Sequence, residues 1–155
     1  MSAELLEPSL EFVFELRVAV DDAVRIGRTD SEDLNFTPIT GGTVEGPALS
    51  GRVLAGGGDW WVSRGRTTQL DAHYLIEASD GAAIDVVNRG YWRADDDVMQ
   101  RLMAGEQVDE ADLYYRTAFV FQTGASAHLW LTESPFVGMA RPEPGLVCIR
   151  VFRLR

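Results

Sequence analysis

The chain has 155 residues, is 46% hydrophobic, and sets 14 basic residues against 24 acidic ones for a net charge of −10. Such a length suits one domain, 1–155, that buries a core without disulfides or metals, and the apolar share excludes wholesale disorder. The acidic balance disfavours nucleic acid and anionic membrane surfaces, whose phosphates call for basic patches.

No apolar run approaches the roughly 20 residues that span a bilayer. The opening MSAELLEPSLEF carries acids where a secretory leader has bases, so the cytoplasm is the expected compartment. The single cysteine, Cys148 in LVCIRVF, reads as a small apolar strand residue; a reactive thiol would need the electropositive setting that Arg150 alone suggests.

Taken in chain order, residues 10–20 alternate: Phe12, Phe14, Leu16, Val18 and Val20 share one face against Glu11, Glu15 and Arg17. That period of two predicts a strand with one buried side. Further strands are predicted at 34–43, with Pro38 at an edge or bulge, and at 49–55, 60–64 and 67–78. Asp80-Gly81 predicts a hairpin turn, because glycine accepts positive φ at no steric cost. Strands at 82–93, 114–123, 127–132 and 146–153 complete the set.

Between them, Asp95-Asp96-Asp97 and Gly105 bracket a helical insertion at about 95–105. Acids suit a helix N-terminus, and glycine suits its end. The three aspartates also allow a cation site. The plan is all-β, a closed antiparallel β-barrel of about 8–10 strands with one short helix. A sandwich has the same strand count, but closure removes exposed edges.

Two segments concentrate unusual chemistry. In LDAHYLI, Asp71 and His73 share one face while Leu70, Ala72, Tyr74 and Ile76 share the other. A carboxylate beside an imidazole makes a general acid–base pair if its face is the barrel interior; otherwise it is a structural ion pair. In GGGDWW, the glycines permit a sharp bend, and Trp60 and Trp61 point to opposite faces, so that one of them can wall a cavity. In YYRTAFVFQTG, Arg116 shares a face with Tyr114 and Gln122 amid apolar residues. Its guanidinium needs an acidic partner, Asp71 or Asp59, or else a ligand anion. No metal-ligand spacing, nucleophile elbow or dinucleotide fingerprint occurs.

The words GGTVEGPALSGRVLAGGGDW, LDAHY, SDGAAI, YYRTAFVFQTG, AHLWL and FVG together resemble the domain-of-unknown-function family 3237, also called the UPF 0311 family. The resemblance runs from about Ile39 to the C-terminus. It implies a small bacterial or fungal β-barrel with no settled activity. Gly41, Gly42, Gly46, Pro47, Gly51, Asp59, Trp60, Leu70, Asp71, Tyr74, Asp80, Gly81, Arg116 and Thr117 match its pattern. Three positions depart from it. His73 stands where the resemblance implies arginine, Tyr115 where it implies phenylalanine, and Gln122 where it implies a glutamate able to act as a base.

Two functions are consistent with these residues. The first is a cofactor-independent acid–base enzyme, of isomerase, cyclase or lyase type, acting on a hydrophobic or aromatic metabolite. Asp71 and His73 would move protons and Arg116 would hold an anionic oxygen. Asp59, Trp60, Tyr74, Tyr114, Gln122 and Trp130 would contact the ligand, with no metal. The second is a non-catalytic binding or assembly barrel whose polar residues form a structural network. Either could pair as a homodimer.

Overall fold

The computed structural model describes residues 2–155. The strands are β1 (Leu10–Val20), β2 (Val24–Arg28), β3 (Asp33–Glu45), β4 (Gly51–Val53), β5 (Gly58–Arg64), β6 (Thr67–Ala78), β7 (Ala83–Ala94), β8 (Leu113–Gln122), β9 (Phe136–Glu143) and β10 (Leu146–Leu154). One helix, α1 (Asp96–Met103), and two 3-10 turns, Glu110–Asp112 and Ser126–Thr132, interrupt them.

All these strands join one antiparallel sheet, and β1 closes it by pairing with both β10 and β3. Two staves are composite. Along one edge of β3, β1 hands over to β2; between β3 and β6, β4 and β5 lie end to end. The result is a closed barrel of eight antiparallel staves in which chain neighbours are also spatial neighbours. Pro38 sits in β3 where its partner changes from β1 to β2, a position that tolerates a missing N–H. At the β6–β7 hairpin Gly81 takes φ +88°, and the Ala82 N–H donates to Asp80 Oδ1 at 3.0 Å.

Two local expectations are corrected, and two further strands are present. Phe12 does not share the inner face of β1: a bulge between Phe12 and Phe14 turns it outward, where its ring meets Phe152 edge-on at 5.7 Å. Residues 127–132 form a 3-10 turn rather than a strand. Three apolar residues in succession, Leu129, Trp130 and Leu131, serve an end plug better than a two-sided ladder, and Leu131 is fully buried. The ladder next to β8 is instead β9, whose Gly138 and Pro142 mask its strand pattern. β2 also escapes the sequence reading, because Val24 and Ile26 are both exposed and show no inward face.

The two ends of the barrel differ. At the end closed by the 3-10 turn, Phe121 meets Phe14, Phe119 and Phe136 with ring centroids 5.8, 5.2 and 5.2 Å apart. Leu131, Ile76 and Ile84 complete this solid half. At the other end α1 and the chain after it lie across the opening. Val98, Val108 and Leu113 form a small separate cluster against Trp92 and Tyr115. Glu110 anchors the end of this segment to the barrel wall through Arg141 (3.1 Å) and Arg150 (2.6 Å). Cys148 is buried on β10, and burial pushes its thiol pKa up, as suits an inert packing residue.

Candidate functional site

The inner face of β6 is its apolar one. Leu70, Ala72, Tyr74 and Ile76 are buried, while His73 and Leu75 face outward. The face that carries Asp71 and His73, whose acid–base reading required it to be inside, is therefore the outer wall. His73 Nε2 lies 2.7 Å from Asp85 Oδ1, with 56% of the His73 side chain exposed, and Asp71 pairs with Arg89 at 3.0 Å. The physical reason is the pleat: a strand with one face in a core turns its larger apolar set inward. Replacement His73→Ala is accordingly expected to leave both turnover and melting temperature nearly unchanged; loss of activity in that variant, measured beside its melting curve, would restore His73 to the site.

Alternation in β8 follows the same rule. Tyr115, Thr117, Phe119 and Phe121 point in, and Tyr114, Arg116 and Gln122 point out. Arg116 Nη1 donates to the Tyr115 carbonyl at 3.0 Å, and its guanidinium lies 5.3 Å from the Tyr114 ring centroid. It makes no ion pair among the described residues, and neither Asp71 nor Asp59 is its partner. Trp60 is outside, tilted against Phe36 at 4.7 Å. Trp130 packs on Phe136 at the plugged end. Of the residues expected at the site, Asp59 and Tyr74 alone line the cavity.

That cavity occupies the open half of the barrel, with a volume of about 900 Å³. Asp59 projects into it from β5. The glycines before it make this possible: a methyl group at Gly57 would lie 2.4 Å from the His73 carbonyl oxygen and 2.5 Å from Tyr74 Cβ. Only a bare backbone lets this stave close on β6 after the break that follows β4. Asp59 Oδ1 accepts the Asp71 N–H at 2.8 Å. Burial pushes the Asp59 carboxyl up to about 6; the Asp71 N–H bond opposes the rise and the Asp71 charge adds to it.

Around Asp59 the register assembles a polar wall. Asp59 pairs with Ala72, which puts it diagonal to Tyr74; Ala72 pairs with Asn88, and Gly90 with Thr117. Diagonal neighbours on one face of a sheet stand within reach of each other's side chains. Tyr74 Oη, Asn88 Oδ1 and Thr117 Oγ1 are buried and have no hydrogen-bond partner among the described residues. Burial also holds the phenols of Tyr74 and Tyr115 well above the ordinary tyrosine range, and the Asp59 charge adds to both shifts. Trp61 and Trp92 supply aromatic surface, with Trp61 Nε1 donating to Thr37 Oγ1 at 2.9 Å.

Tyr115, Asn88 and Thr117 were not singled out as ligand contacts from the sequence. Their signal was a lone polar residue on an otherwise apolar strand face. No arginine lines the cavity among the described residues, and no group of three or more His, Cys, Asp or Glu side chains there could hold a metal. Among the described residues, no helix is long and apolar enough to cross a membrane.

A family model described as a protein of unknown function (DUF3237) matches residues 8–154. The chain belongs to the DUF3237 family. Its relatives include a UPF0311 protein of Rhodopseudomonas palustris, 33% identical over 96% of this chain and 99% of that protein. A crystal structure of a conserved R. palustris protein of unknown function superposes with a TM-score of 0.89 at 31% identity, covering 98% of this chain and all of that one. A hydroalkoxylation enzyme of Penicillium herquei is 38% identical over 79 residues, 50% of this chain and 52% of its own.

Within the DUF3237 barrel, the residues that carry the family resemblance divide between inside and outside. Asp59, Leu70, Tyr74 and Thr117 line the cavity, whereas Trp60, Asp71 and Arg116 are on the outer side of their strands. Two of the three departures, His73 and Gln122, are outside as well, and Tyr115 lines the cavity. The amide at Gln122 therefore removes no carboxylate from the cavity.

Proposed function

We propose that the cavity is the active site of a cofactor-independent proton-transfer enzyme, of isomerase, cyclase or lyase type, acting on a hydrophobic or aromatic metabolite. Asp59 is the observation that carries this reading. A carboxyl group held near pKa 6 by burial keeps its proton far better than a solvated aspartic acid does. It can deliver that proton to carbon and, once ionised, take another from a hydroxyl group. Tyr74 and Tyr115 stay neutral at physiological pH, so they can donate hydrogen bonds to a substrate oxygen.

The kinship with a hydroalkoxylation enzyme supports the cyclase form. Hydroalkoxylation adds an O–H group across a C=C bond. When the hydroxyl and the alkene belong to one molecule, the π bond and the O–H bond are consumed, one O–C and one C–H bond form, and the product is an isomer of the substrate. No oxidant or reductant takes part. Asp59 gives its proton to one alkene carbon while the hydroxyl oxygen closes on the other, and the hydroxyl proton returns to Asp59.

The test incubates the protein with 1-prenyl-2-naphthol in D2O and follows products by chromatography and mass spectrometry. The expected product is a cyclic ether with one carbon-bound deuterium, formed at least about 100-fold more slowly by Asp59→Asn. An undiminished rate in that variant would remove Asp59 from the chemistry. Binding without product, repeated across ortho-prenylated phenols, would favour a non-catalytic ligand-binding barrel built on the same cavity.

A further inference from the structure

The cavity wall is two-sided. From β5 to β8 it carries the oxygen atoms, with Asp59, Tyr74, Asn88 and Thr117 on successive staves. From β10 through β1 to β3 it is lined by Val147, Ile149, Val18, Val20 and Ile39, and its one hydroxyl, Thr37 Oγ1, already accepts the Trp61 Nε1–H at 2.9 Å. Tyr74, Asn88 and Thr117 are each at least nine-tenths buried, and each holds an oxygen without a partner among the described residues. Leaving such an atom unsatisfied is destabilising, because its lost hydration is not replaced. Three on adjacent staves form a strip that is relieved by polar atoms spaced along one edge of a bound molecule.

The charge at this site has one sign. Glu106 and Glu143 line the cavity together with Asp59, and no arginine does. Glu143 is already neutralised from the outside by Arg17 (3.2 Å) and Arg141 (3.2 Å). An anionic ligand would lose its hydration and meet the Asp59 and Glu106 side chains with no arginine in the cavity lining to answer its charge. A cationic ligand would answer the carboxylates, but it brings donors alone, whereas Tyr74 and Thr117 offer hydroxyl groups that can both donate and accept.

We infer that the ligand is an uncharged, flat aromatic molecule with hydroxyl or carbonyl oxygens along one edge and hydrocarbon along the other, its oxygens against β5–β8 and its hydrocarbon edge against β10–β1–β3. This inference rests on the same cavity as the proposed active site, but it concerns recognition and needs no turnover.

Three probes of equal ring size separate the possibilities by titration calorimetry at pH 7.5: 2-naphthol, 2-naphthoate and 2-naphthylmethylammonium. The expected result is binding of 2-naphthol at least tenfold tighter than of either charged probe. In Tyr74→Phe, which keeps the ring and deletes one hydroxyl, 2-naphthol is expected to bind about fivefold more weakly. Equal or tighter binding of the carboxylate would overturn the exclusion of anions. Tighter binding of the ammonium would reassign the cavity to cations. Unchanged 2-naphthol affinity in Tyr74→Phe, or no binding of any probe, would remove the polar wall from recognition. Each of these outcomes is independent of whether Asp59→Asn abolishes turnover.

Discussion

Asp59→Asn is expected to make the protein more stable at pH 7.5, relative to the parent, while abolishing proton transfer. The sign follows from the shifted carboxyl group. Its pKa is about 6 in the folded chain against an ordinary 3.8. Below 3.8 the group is neutral in both states and costs nothing. As pH rises to about 6, the unfolded chain ionises first, and folding stability is lost across that window. The whole shift corresponds to about 3 kcal/mol. An asparagine does not ionise, and its side-chain carbonyl can still accept the Asp71 N–H. The stability of the variant minus that of the parent, from urea melts at pH 4 and 7.5, should therefore grow by about 2–3 kcal/mol with pH.

Activity should follow the same ionisation. The proposed acid works while protonated, so kcat/KM of the parent is expected to fall as pH rises through about 6. A stability difference independent of pH would show that the carboxyl is solvated, and a pH–rate profile without that limb would show that it is not the acid. Residues tuned for chemistry are often poor for folding, and one substitution that moves stability and activity in opposite directions is the signature.

The second large effect is expected at the solid end. Phe121 touches three other rings, and it is 3% exposed. Phe121→Ala deletes the hub of this cluster, and the closed sheet around it cannot collapse to fill the space. A loss of about 3–5 kcal/mol is expected, which lowers the melting temperature by roughly 10 °C. Phe121→Leu retains most of the volume and should lose less than half as much. Thermal unfolding followed by far-UV circular dichroism measures both. A drop in Phe121→Ala of only a few degrees would mean that the aromatic plug is dispensable and the ladder alone holds the barrel closed.

The β-rich architecture was legible because alternation and turn residues are local signals. Residues 67–78 were read as a strand and form one, and the Asp80-Gly81 turn falls where expected. The helix opened by Asp95-Asp96-Asp97 lies within its expected bounds. Residues 127–132 failed because a plug and a strand are both apolar, and the choice between them is made by the hole that must be filled. Phe12 failed because a bulge changes inward and outward without any local signal.

The cavity lining was legible in part. Asp59 and Tyr74 were named, and both line the cavity. His73, Asp71 and Arg116 were favoured because polar residues at strand spacing look like chemistry, yet their shared direction is outward. The period of two separates the faces of a strand without saying which face is inside.

The sequence alone determined that the chain is β-rich, which residues share a face on each strand, and that it resembles DUF3237. These properties depend on residues within a few positions of each other or on the order of short motifs. Only the tertiary structure decided which faces turn inward, that one end of the barrel is packed and the other hollow, and that Asp59 stands beside Tyr74, Asn88 and Thr117. Those residues are brought together by the register of β5 to β8 and buried by closure of the barrel. The elevated pKa of Asp59 comes from that closure, since desolvation depends on everything that surrounds the carboxyl group and not on its neighbours in sequence alone.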